Sequence, residues 1–377
     1  MRRAGIMFLG LVCACSLGLL PPLCVRAGQS PVGQSQEEKE DLKRLIELYN
    51  EYENRFAAIE TVRDIEENGY HIIEDQSFPV LLESFGEEEV FFLPIMEEQY
   101  HRMAVLVADS EGNILYKTNQ LATNNIRLGE LEQSTKGIAA VSFQDLNGDG
   151  LSDITLITNC ENETGEYKGK TYKTGDVLFQ RDGGFYRDWR ISDKINRFSM
   201  NKSTGFIRSY VRDGISTEIL YTATTLNELV DNGFEIIQGQ SYWRSFEKLG
   251  TLRIVPGVIK MAEYNIFMIY LVNDQGYIVW SFQTMKDYDN LYSLKGMACR
   301  DVDGDGMKDI VVLGRYSYSG ENGELLVDTR CSVFYQRTDG FAEDEEFTES
   351  YQCTAEDTVS GLVEQIRGYW GWTVEND

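Results

Sequence analysis

Nine residues, Asp145-Leu146-Asn147-Gly148-Asp149-Gly150-Leu151-Ser152-Asp153, return 156 positions later (301 − 145) as Asp301-Val302-Asp303-Gly304-Asp305-Gly306-Met307-Lys308-Asp309. Oxygen-bearing side chains at positions 1, 3, 5 and 9 of so short a loop repel one another unless a cation lies among them. A hard ion such as calcium accepts that set, with a main-chain carbonyl near position 7. Gly150 and Gly306 stand where such a loop turns sharply, a conformation glycine takes without steric cost. The pattern predicts two calcium ions, one at Asp145, Asn147, Asp149 and Asp153 and one at Asp301, Asp303, Asp305 and Asp309.

These are not EF-hands. That motif needs a bidentate glutamate at position 12 and a helix leaving the loop, whereas position 12 is Leu156 in one copy and Val312 in the other. The runs that follow, Ile154 to Thr158 and Ile310 to Leu313, are β-branched and read as buried strands. Ile138 to Phe143 and Gly296 to Cys299 read as the strands before the loops. An ordinary Asn-Gly or Asp-Gly hairpin turn needs no metal, and it leaves the other spaced oxygens without a reason.

A strand, an acidic loop and a strand in this order resemble the calcium loops of FG-GAP and VCBS-type repeats, known from integrin α-subunit propellers and many secreted bacterial proteins. The resemblance implies β-rich blades in which calcium stiffens a hairpin. It also implies ligand roles for the carbonyls of Leu151 and Met307 beside the side chains already named. At the same offset, Val177 to Phe185 matches Val333 to Phe341, which in such repeats is the hairpin that completes a blade. This chain departs from the family in having two widely separated loops where members carry many.

The duplication extends beyond the loops. Thr61 to Phe78 aligns without gaps on Thr225 to Tyr242 at an offset of 164 (225 − 61), with Asn68/Asn232, Gly69/Gly233 and an Ile-Ile pair identical. The correspondence continues through Gly86/Gly250 and through two hydrophobic runs, each broken by a Gly turn, that read as hairpins. Each unit reads as a short helix ended by Gly69 or Gly233, then a strand, a hairpin, the calcium hairpin and a closing hairpin. The fold class is all-β with minor helices, internally duplicated. Its units are either propeller-blade-like sheets in a short ring or a pair of β-sandwich-like modules. The expected organisation is a signal peptide (1–27), a leader and amphipathic helix (28–60), unit one (61–224), unit two (225–345) and a C-terminal tail with a short helix (346–377).

Met1-Arg2-Arg3, the apolar run Ala4 to Leu20 and Val25-Arg26-Ala27 have the order of an export signal, with cleavage expected after Ala27. The run is short for a membrane span, so the mature chain is expected to carry no transmembrane helix and to be secreted or displayed at the surface. A lipidated Cys15 is the alternative, and it would leave Ser16 to Leu20 as an apolar stretch on the mature chain. The whole chain carries a net charge of −26, and losing 1–27 removes three arginines and no acid. That excess excludes nucleic acid and an anionic membrane surface as partners.

Four cysteines remain after cleavage: Cys160, Cys299, Cys331 and Cys353. Of their three possible pairings, Cys331 with Cys353 is the first expectation, with Cys299 as a competitor. Helices are expected from Glu37 to Ile59, with an apolar stripe from Leu42 to Ile59, and from Thr358 to Trp370.

The histidines, His71 and His101, have no counterparts in the other copy. Nucleophile-elbow, HExxH and phosphate-loop motifs are absent. The function expected from this is a non-enzymatic binding or adhesion module for an extracellular glycan or protein partner. The connections Asn159 to Gly175 and Arg315 to Asp328 are the candidate contact loops. Tyr316, Tyr318, Tyr369, Trp370 and Trp372 are candidate platforms for sugar rings. The alternatives are a secreted hydrolase of glycosides or esters using unidentified carboxylates, and a calcium-stiffened spacer. Sequence alone leaves the oligomeric state open.

Overall fold

A computed structural model of the protein describes residues 36–99, 101–122, 133–162, 168–283, 290–319 and 324–372. The expected signal peptide, Cys15 and the leader lie outside the described residues, as do 163–167 and 320–323 in the two candidate contact loops. Among the described residues no helix is long and apolar enough to cross a membrane. The chain divides into two compact units, Met1–Asn50 and Glu51–Asp377. In the first, the described segment opens helix α1 (Gln36–Ala57), with a Lys43–Glu47 pair one turn apart at 3.6 Å and Ile46 facing outward at 42% exposure.

The second unit holds four antiparallel sheets in chain order. Sheet 1 comprises β1 (Tyr70–Ile72), β2 (Phe78–Val80), β3 (Val90–Glu97), β4 (Met103–Ala108) and β5 (Ile114–Thr118), preceded by helix α2 (Asp64–Glu67). Sheet 2 comprises β6 (Gln133–Gln144), β7 (Asp153–Asn162), β8 (Thr171–Arg181) and β9 (Gly184–Arg187). Helices α3 (Trp189–Arg197), α4 (Thr204–Val211), α5 (Glu218–Thr222) and α6 (Leu226–Asp231) follow. Sheet 3 comprises β10 (Glu235–Ile236), β11 (Tyr242–Phe246), β12 (Gly250–Met261), β13 (Tyr264–Val272) and β14 (Ile278–Phe282). Sheet 4 comprises β15 (Asn290–Arg300), β16 (Asp309–Ser319), β17 (Leu325–Arg337) and β18 (Gly340–Glu343), closed by α7 (Glu345–Ser350) and α8 (Val359–Tyr369).

Five strands then four, twice over, is the internal duplication seen as backbone. It reaches into irregularities: β6 slips register at Thr135/Gly137 and Ile138/Ala140, and β15 slips at Leu291/Ser293 and Leu294/Gly296, 156 residues on. Bulges at matching positions are built features of a strand, because each re-aims the chain at the same point. The helices repeat as well. Asp188 caps α3 and Asp344 caps α7, while Ser203 caps α4 and Thr358 caps α8. Each such side chain accepts an N–H that the first helical turn leaves unsatisfied.

Packing decides between a ring and a pair. Phe92, Met103 and Val105 of sheet 1 meet Ile154, Leu156 and Leu178 of sheet 2. Ile254, Ile269 and Phe282 of sheet 3 meet Ile310, Val312 and Phe334 of sheet 4. The opposite face of sheet 1 lies under Tyr52 and Phe56 of α1 and Ile65 of α2. The opposite face of sheet 4 lies under Phe347 of α7 and Leu362 and Ile366 of α8. Among the described residues, helices thus cover the outer faces of both end sheets, and these faces do not pack on each other. The layers therefore form two sheet pairs, and the propeller-like ring expected as one option is not built. Alpha-helices α3 and α4 fill the middle, where Ile195, Phe206 and Ile207 touch both sheet 2 and Met261 at the tip of the β12–β13 hairpin.

Strands buried on both faces need continuous apolar runs, which is why Met103–Ala108 and Ile310–Leu313 lack polar alternation. The candidate contact loops prove to be mostly strand. Residues up to Asn162 and from Thr171 belong to β7 and β8, and β16 and β17 extend likewise to Ser319 and from Leu325.

Candidate metal centre

Both acidic loops link a bulged strand to a buried one, at β6–β7 and β15–β16, and the main chain of each is folded around its own carboxylates. Asp145 accepts the N–H of Gly148 at 2.7 Å and of Gly150 at 2.9 Å, and Asp301 accepts those of Gly304 and Gly306 at the same distances. These glycines have φ between 82° and 85°, the left-handed conformation that side chains disfavour. Asp149 accepts from Leu151 N at 2.9 Å and Asp305 from Met307 N at 2.8 Å, so the residues expected to lend carbonyls sit at the seventh position of tight turns. Asp153 and Asp309 are wholly buried. Each accepts two main-chain N–H groups, from Leu146 and Gln180 in one copy and from Val302 and Gln336 in the other, at 2.8 and 2.9 Å.

The two loops then diverge. In the second, carboxylate oxygens of Asp301, Asp303 and Asp309 all lie within 4.8 Å of one another. Among the described residues this is the one such acidic group; the set Asp145, Asp149 and Asp153 of the first loop does not converge in this way. Asn147 stands where the second copy has Asp303, and its amide donates to Asp149 at 2.9 Å, an internal link that a carboxylate cannot make.

Electrostatics follow this geometry. Burial pushes the Asp309 carboxyl up to about 7, with Asp303 and Asp305 adding repulsion against the two N–H bonds that favour its charge. Burial raises Asp153 in the same sense. Asp145, half-buried and wrapped in main-chain donors led by Gly150, is held below the usual carboxylate range. Three convergent carboxylates, one of them raised toward neutrality by burial, fit a divalent cation through hard oxygen donors.

Neighbours complete the second loop. Arg337 Nη1 lies 3.0 Å from Asp303 and 3.1 Å from Asp305, with its guanidinium over the Tyr335 ring. Its counterpart Arg181 turns to Asp182 instead. Arg367 of α8 donates to the Asp301 carbonyl at 2.8 and 3.2 Å and stacks on Trp372. That indole lies over Gly304, where a Cβ would meet it at 3.5 Å.

Two glutamates that the loop motif does not contain latch each loop to the preceding sheet. Glu83 accepts Ser152 N at 2.8 Å and Glu247 accepts Lys308 N at 2.9 Å. Glu247 also takes Gln336 Nε2 at 3.1 Å and the Lys308 ammonium, and is held at about 2, burial being outweighed by these bonds. The sequence signal was there: Glu83 and Glu247 share the 164 offset, three residues before Gly86 and Gly250. Replacing Glu247 with Ala should cost about 1 kcal/mol in urea unfolding, because its hydrogen bonds are partly open to solvent. The change should also speed amide exchange at Lys308, and Glu247→Gln should cost less.

Of the candidate sugar platforms, Tyr316 is buried at 1% exposure between sheets 3 and 4. It continues the inward alternation of Ile310 and Val312, and Gly314 makes room for its ring. Tyr318, Tyr369 and Trp370 are exposed, although Trp370 Nε1 donates to Tyr335 Oη at 2.8 Å.

No family model matches the chain, and no curated protein matches it. Among solved structures it is similar to the crystal structure of exo-inulinase from Aspergillus awamori, at 10% identity and a TM-score of 0.23. The alignment covers 71% of this chain, which spans about half (48%) of that structure's length. Likeness at that level carries no argument about activity.

The expectation of a non-enzymatic binding or adhesion module is nonetheless corrected, and with it the expectation that the chain is not an enzyme. Both rested on the absence of nucleophile-elbow, HExxH and phosphate-loop motifs and on histidines that lack counterparts in the other copy. The second loop instead gathers three carboxylates beside an arginine and an indole, a constellation able to do chemistry. The FG-GAP, VCBS and propeller descriptions are withdrawn as well, since the sheets form no ring and no family model matches.

Proposed function

We propose that the chain is a divalent-cation-dependent hydrolase centred on the second acidic loop, with a glycoside as the substrate class. The observation that carries this reading is the convergence of Asp301, Asp303 and Asp309 within 4.8 Å. Calcium is the expected ion by donor type, held by Asp301, Asp303, Asp305, the Met307 carbonyl and Asp309. A second ion is assigned to Asp145, Asn147, Asp149, the Leu151 carbonyl and Asp153. When bound, such an ion supplies fixed positive charge and Lewis acidity.

The chain's own groups divide the remaining work. Asp309, fixed by two main-chain N–H groups, orients the cluster from below. Asp303, its side chain only 8% exposed and 3.0 Å from Arg337, is assigned to hold the ion beside Asp301. Arg337 supplies positive charge where negative charge develops. Trp372, half-buried beside Gly304, is the aromatic assigned to sugar contact, which favours glycosides over esters. Residues 1–27 are assigned to export, which would put the substrate outside the cell.

The test compares chelator-stripped and calcium-repleted protein on panels of chromogenic glycosides and esters. Glycoside turnover should appear with calcium, and Asp303→Asn, by weakening the hold on the ion, should lower it by about 100-fold or more, whereas Asp182→Ala should leave it unchanged. Turnover on neither panel, or an Asp303→Asn enzyme as fast as wild type, would sink the proposal. A purely structural calcium hairpin is the second reading. It is favoured by one observation, that both oxygens of Asp309 already hold main-chain N–H groups.

A further inference from the structure

We propose that Cys331 and Cys353 form a disulfide that fastens the C-terminal helices to sheet 4. Cys331 lies on β17, 2% exposed, among Val333, Tyr335 and the apolar side of α8. Cys353 lies between α7 and α8, half-buried, and packs into the same cluster. Both are free thiols in the structure, and their shared place in this cluster sets them on the same covered face of sheet 4.

The other cysteines are engaged elsewhere. Cys160 contacts Thr158 and Thr174 on sheet 2. Cys299 points into the core between sheets 3 and 4, away from the face that carries Cys331.

The duplication shows what the bond replaces. The position matching Cys331 in the first copy is Gly175, where a Cβ would come within 2.7 Å of Ile195 in α3. Asn196 of α3 grips that glycine twice, accepting its N–H at 2.7 Å and donating to its carbonyl at 2.9 Å. One offset later the counterpart of Asn196 is Gln352, adjacent to Cys353. Each copy thus ties its covering helices to the same strand position, with amide hydrogen bonds in the first and sulfur chemistry in the second. In the second copy the fastening leads into α8, whose Arg367 and neighbouring Trp372 brace the acidic loop.

Closure is thiol–disulfide exchange with an external disulfide such as oxidised glutathione. Cys353, the more exposed of the two, loses its proton and attacks that disulfide, expelling one glutathione thiolate. The Cys331 sulfur then loses its proton and displaces the second glutathione, leaving an S–S bond here and two reduced glutathione molecules.

Folded protein is equilibrated with oxidised and reduced glutathione, unfolded in alkylating reagent and mapped by peptide mass. The expected result is one linked peptide pair containing Cys331 and Cys353, with Cys160 and Cys299 alkylated. Reduction should lower the Tm by roughly 5 °C, and Cys353→Ser, at a half-buried site that tolerates serine, should match the reduced protein. Full alkylation of Cys331 and Cys353, or a link from Cys331 to Cys299, would overturn the proposal.

Discussion

Stripped of divalent ions, the protein should lose stability as the pH climbs from about 4 to about 7, and calcium should restore most of that loss. The cause is Asp309, whose carboxyl is raised from 3.8 to about 7, first by burial and then by Asp303 and Asp305. In that window the folded chain holds a proton that the unfolded chain releases, so stability falls as pH rises. The contribution is fully present below 3.8 and lost through about 7. Three units correspond to about 4 kcal/mol, a large part of a typical folding free energy. Glu247 acts in a separate window, since its pKa is held at about 2 and its contribution is lost only as pH falls below 4.5. Calcium displaces the Asp309 proton, so its stabilisation should be larger at pH 8 than at pH 5. Thermal melts with chelator and with about 1 mM calcium check this. A calcium-induced shift that is the same at both pH values would count against the ligand role of Asp309.

Asp176→Ala should cost about 3–5 kcal/mol, the largest effect expected of any substitution away from the acidic loops. Asp176 is 1% exposed on β8. It accepts from the Arg187 guanidinium and, at 3.0 Å, from the Ser192 hydroxyl, while its other oxygen takes Ala122 N at 2.7 Å. Burial raises its pKa even against the arginine's pull, so the pair adds little net stability. Truncating the acid, however, leaves a half-buried guanidinium, a buried hydroxyl and an N–H without their acceptor. The second copy solves the same positions with Ser332 and Glu343, at 3.5 Å. The double change Asp176→Ser with Arg187→Glu should therefore be milder than Asp176→Ala alone. Urea unfolding reads both, and a double mutant as damaged as the single one would reject this account.

Much of the scaffold could be read from residue order. Acidic loops flanked by β-branched runs, Gly69 and Gly233 ending short helices, and matched offsets of 156 and 164 specify two copies of one strand plan, because each is a local signal. The choice between a ring and a pair of sheet pairs was not local. It depended on which element covers the outer faces of sheets 1 and 4, and α8 reads only as an amphipathic stretch until it is seen packed on Val311 and Leu313. The site was half legible. Asp301, Asp303 and Asp309 were in the motif, but Arg337, Arg367, Trp372 and Glu247 reach it from distant segments. The inequality of the two loops turns on Asn147, whose amide donates where Asp303 carries charge. Tyr316 misled because aromatic content does not distinguish a face turned inward from one turned to solvent.

The central claim is that the cluster of Asp301, Asp303 and Asp309 holds a divalent cation. Isothermal titration of calcium into chelator-stripped, folded protein near pH 7.5 tests it most directly. The account predicts saturable uptake with proton release, and loss of one binding event in Asp301→Asn. A flat titration in the wild type, or an Asp301→Asn protein that takes up calcium as the wild type does, would contradict it.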